Sequence, residues 1–248
     1  MKNNLKLLWQ FCTQFGFFTG FELFIKFKLG YVDKLKLPGI KYPLSLRSKT
    51  SDIPTFYQIF FGKEYDINLK KNPNFVIDGG ANIGLFTILM KNRYPDAKVV
   101  CIEPDPDNFK LLEKNVSCYN DVFCENCGIW DKNTKLKVYD KYNSGKWGII
   151  VEEDLIDGCI PATSINMILE KFSSDHIDIL KLDIETSEKQ LFSSNYESWL
   201  SKVDTIVIEL HDRIQKGCSK AFFSAINKTF KDFVFSTKGE NIIIENYY

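Results

Sequence analysis

The apolar positions change rhythm near residue 70. Before it, Phe17, Phe21, Phe24, Ile25 and Leu29 recur at helical spacing and residues 5–11 form a second aromatic-rich stretch, so two helices are predicted, each with a face packed on something. A Pro38-Gly39 turn, a short strand over 40–46, and a helix opened by Asp52-Ile53-Pro54 and running through Phe61 complete this part. Beyond it, short apolar runs alternate with helical periods. Phe75-Val76-Ile77-Asp78 ends in an acid, 83–93 reads as a helix, 98–103 is a second run ending in an acid, 107–118 is a second helix, and 122–128 is a third strand. A short extra strand follows over 136–139. Residues 177–183 and 203–209 are two further parallel strands, with a helix from Ser187 to about Phe192 between them. A helix over 219–230 and a hairpin of 233–235 with 242–245, turning at 238–241, end the chain. This βαβ order predicts an α/β, Rossmann-like, mostly parallel sheet closed by an antiparallel terminal strand. Residues 1–70 would form an accessory cap, helical with one short strand, and 71–248 the ligand-binding domain.

Composition narrows the partners. The 248 residues are 44% hydrophobic and 26% charged, with 32 Lys and Arg against 32 Asp and Glu, so no polyanion is advertised and nucleic acid is disfavoured. Seven cysteines scattered without a secretory signal read as reduced thiols, which points to the cytoplasm. Gln14, Glu22, Lys26 and Lys28 interrupt the aromatic amino-terminal part before the roughly 18 to 20 apolar residues of a spanning helix accumulate. Its apolar face is read as packed on the main domain. Contact with the inner face of a membrane, or with a second copy as a homodimer, stays open beside that reading.

The chemistry concentrates in the first βαβ unit. Gly79, Gly80, Ala81, Asn82 and Gly84 form a loop that lets backbone approach a ligand ahead of a helix with unpaired N–H groups. A dinucleotide fingerprint needs glycine where Ala81 stands, so a pyrophosphate is poorly served and an NAD-binding oxidoreductase becomes the rival reading. Glu103, 19 positions past Gly84 and followed by Pro104, ends the second strand where it can accept from both hydroxyls of a ribose. Asp78 is placed to receive an ammonium, directly or through water. At the carboxyl end of the third strand Asn126 is placed to read an adenine edge, while Cys127-Gly128 leaves room for the ring. The Cys124–Cys127 spacing lacks a second Cys or His pair and lies along a strand, so it is not taken as a metal or redox site.

Four ordered segments resemble the FkbM family of methyltransferases: Arg47-Ser48-Lys49-Thr50-Ser51-Asp52 with Glu64-Tyr65; Ile77 to Gly84; Cys101-Ile102-Glu103-Pro104; and Lys181-Leu182-Asp183-Ile184-Glu185-Thr186-Ser187-Glu188 followed by Ile208-Glu209-Leu210-His211. The resemblance spans about residues 45–212. It implies a class I methyltransferase fold, S-adenosylmethionine as cofactor, and O-methylation of a hydroxyl, commonly on a sugar, glycan or secondary metabolite. One departure stands out, because the family's D-x-E-G has Thr186 in place of glycine, at the turn after the fourth strand. The D/N-P-P-Y/F of base amino-methyltransferases is absent here, where Asp183-Ile184-Glu185-Thr186 stands. A non-catalytic binding protein of the same fold is the remaining alternative.

Methyl transfer to oxygen is an in-line displacement in which the protein supplies positioning and removes the acceptor's proton. Asp183, Glu185, Glu209 and His211 end the fourth and fifth strands. With an ordinary pKa of about 6.5, His211 is the first candidate base, although a histidine just past a strand often only satisfies a neighbouring carboxylate. Lys181 is read either as orienting the acceptor or as a buried ion-pair partner. A divalent metal held by Asp183 and its neighbours is compatible with the sequence but not demanded by it. Thr50 and Asp52, with Arg47, are candidates for a lid over the cofactor, and Glu64-Tyr65 for its mouth. Tyr142, Ser144 and Trp147, on the long link between the third and fourth strands, are candidates for acceptor specificity.

Overall fold

The computed structural model describes residues 2–140 and 149–247. Tyr142, Ser144 and Trp147 therefore lie outside the described residues. Among those described, strands β1 (Phe75–Gly79), β2 (Lys98–Ile102), β3 (Val122–Glu125), β8 (Ile177–Leu182), β9 (Val203–Glu209), β10 (Asp232–Lys238) and β11 (Asn241–Tyr247) form one sheet, in the order β10-β11-β9-β8-β1-β2-β3. Every neighbouring pair from β9 to β3 is parallel. Only β11, inserted between β9 and β10, runs antiparallel to both. The expected sheet, with its antiparallel terminal strand, is the one observed.

The period of two along the central strands sorts side chains into two cores. On β1 and β2, Val76, Val99 and Cys101 face one side and Phe75, Ile77, Val100 and Ile102 the other. The first side is covered by α4 (Leu85–Arg93) and α5 (Pro106–Val116), and by α1 (Lys2–Phe15), α2 (Phe17–Leu29) and α3 (Asp52–Phe60). The second is covered by α6 (Ile165–Lys171), α7 (Glu188–Leu191) and α8 (Cys218–Thr229). The amino-terminal helices share the first core rather than building their own: Phe11 stacks edge-on to Phe61 with ring centroids 5.0 Å apart, and Phe27 lies 4.9 Å from Phe56.

Three expectations change. The strand over 40–46 is a single bridge between Leu35 and Leu44, because Pro43 has no N–H for a ladder. The third strand ends at Glu125, not at 128. Asn126 folds back there and donates its side-chain amide to the carbonyls of Glu103 and Pro104. Gly128 and Ile129 then start a second, four-stranded sheet of β4 (Gly128–Ile129), β7 (Ile160–Thr163), β5 (Thr134–Asp140) and β6 (Ile149–Glu153). The expected short strand over 136–139 belongs to β5. Neither β7, which contains Pro161, nor α6 behind it was anticipated.

Candidate functional site

The glycine loop at the carboxyl end of β1 is held from three sides. Gly80 and Ala81 donate their N–H groups to the Ile102 carbonyl at 3.0 and 2.9 Å, and Asp183 N donates to the Gly79 carbonyl at 3.0 Å. Gly80 has φ +71, and a Cβ there would come within 1.7 Å of the Asp183 carbonyl oxygen, so only glycine permits this approach of the first loop to the fourth. Gly84 serves packing. A Cβ on it would lie 2.7 Å from Leu112 of α5.

Beneath the loop Asp78 is fully buried and accepts from Thr87 Oγ1 at 2.7 Å. Its other oxygen faces Lys181 Nζ at 3.3 Å. Lys181, also buried, donates to the carbonyls of Gly79 and Gly80 at 3.2 and 2.7 Å. Burial alone would lower the lysine pKa, but the charge of Asp78 outweighs it and the group is held firmly protonated. The three donors of Lys181 are directed at the two loop carbonyls and Asp78. This lysine is the buried ion-pair partner. Asp78 lies sealed between Thr87 and Lys181 beneath the loop.

Glu103 is buried beside the loop. Its Oε2 accepts from Asn82 N at 2.7 Å, while Oε1 accepts from Asp105 N at 2.9 Å and Asn108 Nδ2 at 3.3 Å. A carboxylate offers about four acceptor positions, so three are occupied and one on Oε2 is left, fewer than the pair of ribose contacts expected from sequence. Pro104 and Asn126 belong to the same turn, with both amide hydrogens of Asn126 on backbone carbonyls and its Oδ1 available to accept. Cys127 is half-buried and its thiol is pushed up to about 11 by burial, which keeps it a neutral space-filler.

The candidate lid turns its chemistry inward. Asp52 is fully buried and takes a two-pronged ion pair from Arg47, Nε to Oδ2 at 3.0 Å and a terminal nitrogen to Oδ1 at 2.8 Å. Thr50 Oγ1 is occupied within the turn, donating to the Arg47 carbonyl at 3.0 Å. Both side chains take part in closing the turn that opens α3, Asp52 from the interior and Thr50 at the surface. The route to the cofactor side is Arg47, which also donates to Asn108 Oδ1 at 2.6 Å, next to Glu103. Tyr65 is buried against Phe86, with ring centroids 4.9 Å apart, and Glu64 stands beside Gly239, away from the loop.

At the ends of β8 and β9 one imidazole sits among four carboxylates. His211 Nδ1 is 2.9 Å from Glu188 Oε1, while Nε2 is 3.6 Å from Glu185 Oε2, 3.6 Å from Glu209 Oε1 and 3.8 Å from Asp183 Oδ1. Burial would lower the histidine pKa, yet the hydrogen bond and charge of Glu188 and the charges of Asp183 and Glu185 push it up to about 10. These neighbours favour the protonated ring, against the role of base that its ordinary pKa suggested. Burial pushes Glu185 and Glu209 up to about 7 against the opposing charge of His211, into the range in which a carboxyl group exchanges its proton near neutral pH. Asp183, Glu185 and His211 also offer three ligand atoms within 4.8 Å of one another, a set that suits a divalent cation once Nε2 has lost its proton.

Glu188 is the residue that sequence reasoning passed over. It is fully buried in the first turn of α7, where Oε1 accepts from Ile184 N at 3.2 Å as well as from the imidazole. The available signal was its membership of the segment running from Lys181.

Thr186, the departure from the family glycine, has a backbone that favours glycine: φ is +79, the side chain is buried, and Oγ1 has no hydrogen-bond partner. A β-branched residue in the left-handed region is strained. Thr186→Gly is expected to stabilise the chain by about 1–2 kcal/mol after the greater unfolded-state freedom of glycine is subtracted, read as a rise of about 3–6 °C in thermal unfolding. A lower melting temperature would mean that the buried methyl group outweighs the strain.

The sheet order with its one antiparallel strand, the glycine turn after β1 and the acid after β2 define a class I S-adenosylmethionine-dependent methyltransferase. The chain belongs to the FkbM methyltransferase family: the methyltransferase FkbM domain matches residues 78–237. Among curated relatives, Methyltransferase 1 of Beauveria bassiana is 26% identical over 180 residues, covering 62% of this chain and 72% of its own. Methyltransferase sdnD of Sordaria araneosa is 28% identical over 189 residues, covering 62% and 73%. Among solved structures, the O-methyltransferase from Bacillus cereus aligns at TM-score 0.44 and 12% identity over 80% of this chain and 82% of that one, a level at which no activity carries across. Family membership displaces the dinucleotide-oxidoreductase reading.

The groups present suit this cofactor, whose outward donors are an ammonium, two ribose hydroxyls and an adenine amine. Acceptors dominate the rim: Oε2 of Glu103, Oδ1 of Asn126, the half-exposed carboxylate of Asp183, and Oδ1 of Asn82, which is buried with no hydrogen-bond partner.

Proposed function

We propose that the chain transfers a methyl group to a hydroxyl oxygen of a sugar, glycan or secondary metabolite, with Glu185 and Glu209 taking the hydroxyl proton. The observation that carries this reading is the convergence on His211 of two carboxylates, Glu185 from the loop after β8 that contacts Gly79 and Glu209 from the end of β9, each 3.6 Å from Nε2 and each pushed up to about 7 by burial. S-adenosylmethionine supplies the electrophilic methyl group when bound. Gly80 admits the close approach of the loop after β8, Glu103 and Asn82 offer acceptors to the ribose side, and Asp78 with Lys181 hold the glycine loop from below. Glu188 fixes the imidazole ring, and His211 keeps Asp183, Glu185 and Glu209 from repelling one another. A rim of carboxylates favours a polyhydroxylated acceptor, because each oxygen accepts from a different hydroxyl. Residues 1–70 act as an accessory cap, and the reduced cysteines favour the cytoplasm as the working compartment.

The test is incubation of the full chain with methyl-labelled S-adenosylmethionine and panels of glycans, lipid-linked glycans and polyketides, with product analysis by mass spectrometry. Label is expected as a methyl ether on oxygen. Transfer to nitrogen or carbon would overturn the oxygen assignment, and cofactor binding without transfer to any acceptor would favour the non-catalytic alternative.

A further inference from the structure

We propose that the helical hairpin of α1 and α2 docks the protein on the surface of an anionic lipid bilayer. The hairpin presents an outer apolar face that no part of the chain covers among the described residues. On α2, Phe18, Phe21, Ile25 and Leu29 recur at i, i+3, i+7 and i+11 on one exposed stripe, opposite Leu23, Phe24 and Phe27, which pack inward. On α1, Leu5 and Trp9 face outward, opposite Phe11 and Phe15. Trp9 is 67%, Phe17 71% and Phe18 86% exposed, and the last two rings meet 5.5 Å apart beside the turn at Gly16. So many exposed aromatics on one short hairpin are a contact surface rather than scattered apolar positions.

Charge selects the occupant. Residues 1–50 carry nine Lys and Arg against two Asp and Glu, a net +7, while the remaining 198 carry 23 against 30, a net −7. A chain that is neutral as a whole is thus sharply divided along its length, and the stretch that carries the aromatic face is the cationic one. Lys6 and Lys28 are exposed on the hairpin itself, and Lys34, Lys36, Lys41 and Lys49 on the segment that follows. Exposed Trp, Phe and Leu flanked by lysine are what an anionic interface recognises. A second copy would bring one +7 region against another. No described helix is long and apolar enough to cross a membrane, so the hairpin would lie on the bilayer and not span it. The inference does not depend on the methyltransferase reading.

The experiment is co-sedimentation of the full chain with vesicles of phosphatidylcholine alone and of phosphatidylcholine containing phosphatidylglycerol, at low and high salt. Binding is expected to be at least about tenfold stronger to the phosphatidylglycerol vesicles, to weaken with salt, and to fall about tenfold or more in a Phe17→Ser, Phe18→Ser variant. Both substituted side chains are exposed. The variant should keep the melting temperature of the parent, and its S-adenosylmethionine affinity provides a readout of the site that docking leaves unchanged. No vesicle binding, equal binding to both vesicles, or a dimer by light scattering that the double variant dissolves and that does not sediment with lipid, would each overturn the proposal.

Discussion

Replacing Glu185 and Glu209 together by glutamine lowers methyl transfer by about 10²–10⁴-fold, the usual contribution of a positioned proton acceptor, while S-adenosylmethionine affinity stays within about twofold because neither group touches the glycine loop. Both carboxylates are pushed up to about 7 mainly by burial, so their ionised form costs the fold stability at neutral pH and an amide in its place does not unfold the chain. The sign of the pH dependence follows from the same values. The base form of each group accumulates only above about 7, so the rate of the unaltered enzyme climbs as pH rises toward that value. His211, held near 10, then loses the proton that screens the carboxylates, and the rate falls again above it. Stopped reactions across pH 5 to 11 with a saturating acceptor measure both limbs. A double variant with undiminished turnover, or a profile governed by a single group near 6.5, would restore histidine as the base.

Lys181→Met is expected to destabilise the chain by about 3–5 kcal/mol, because it leaves Asp78 charged, fully buried and without its cation. For a chain of this size that is a fall of about 6–20 °C in thermal unfolding. Combining it with Asp78→Asn should recover a large part of the loss, since the pair is then removed together and the two effects do not add. Thermal unfolding of the two single variants and the double variant closes the cycle. A Lys181→Met protein with an unchanged melting temperature but little activity would instead place the lysine on the acceptor.

Much of the site was legible because its residues fall in order at the ends of recognisable strands. Asp78, Glu103, Asp183 and Glu209 each stand at or just past the end of an apolar run, and the sheet places all four at one edge. What each does there was not legible. Lys181 and His211 both stand near the carboxyl end of a strand along the sequence, yet folding puts one under the loop against Asp78 and the other among four carboxylates. Thr50 and Asp52 read as a lid, but Arg47 draws Asp52 into the interior and Thr50, still exposed, bonds within the turn. Residues 128–163 were the weakest part of the reading: β4 has two residues and β7 contains a proline, too little pattern for either to declare itself.

The sequence alone determined the periodicities that make a parallel α/β sheet, the glycines that permit the turn after β1, and the family, because these depend on residues close together in the chain. Tertiary structure decided the charge states. A pKa depends on burial and on neighbours that converge from distant segments, such as Glu188 on His211 across 23 positions and Asp78 on Lys181 across more than a hundred. That convergence sets His211 among four carboxylates and raises the pKa of Glu185 and Glu209, neither of which the spacing along the chain discloses.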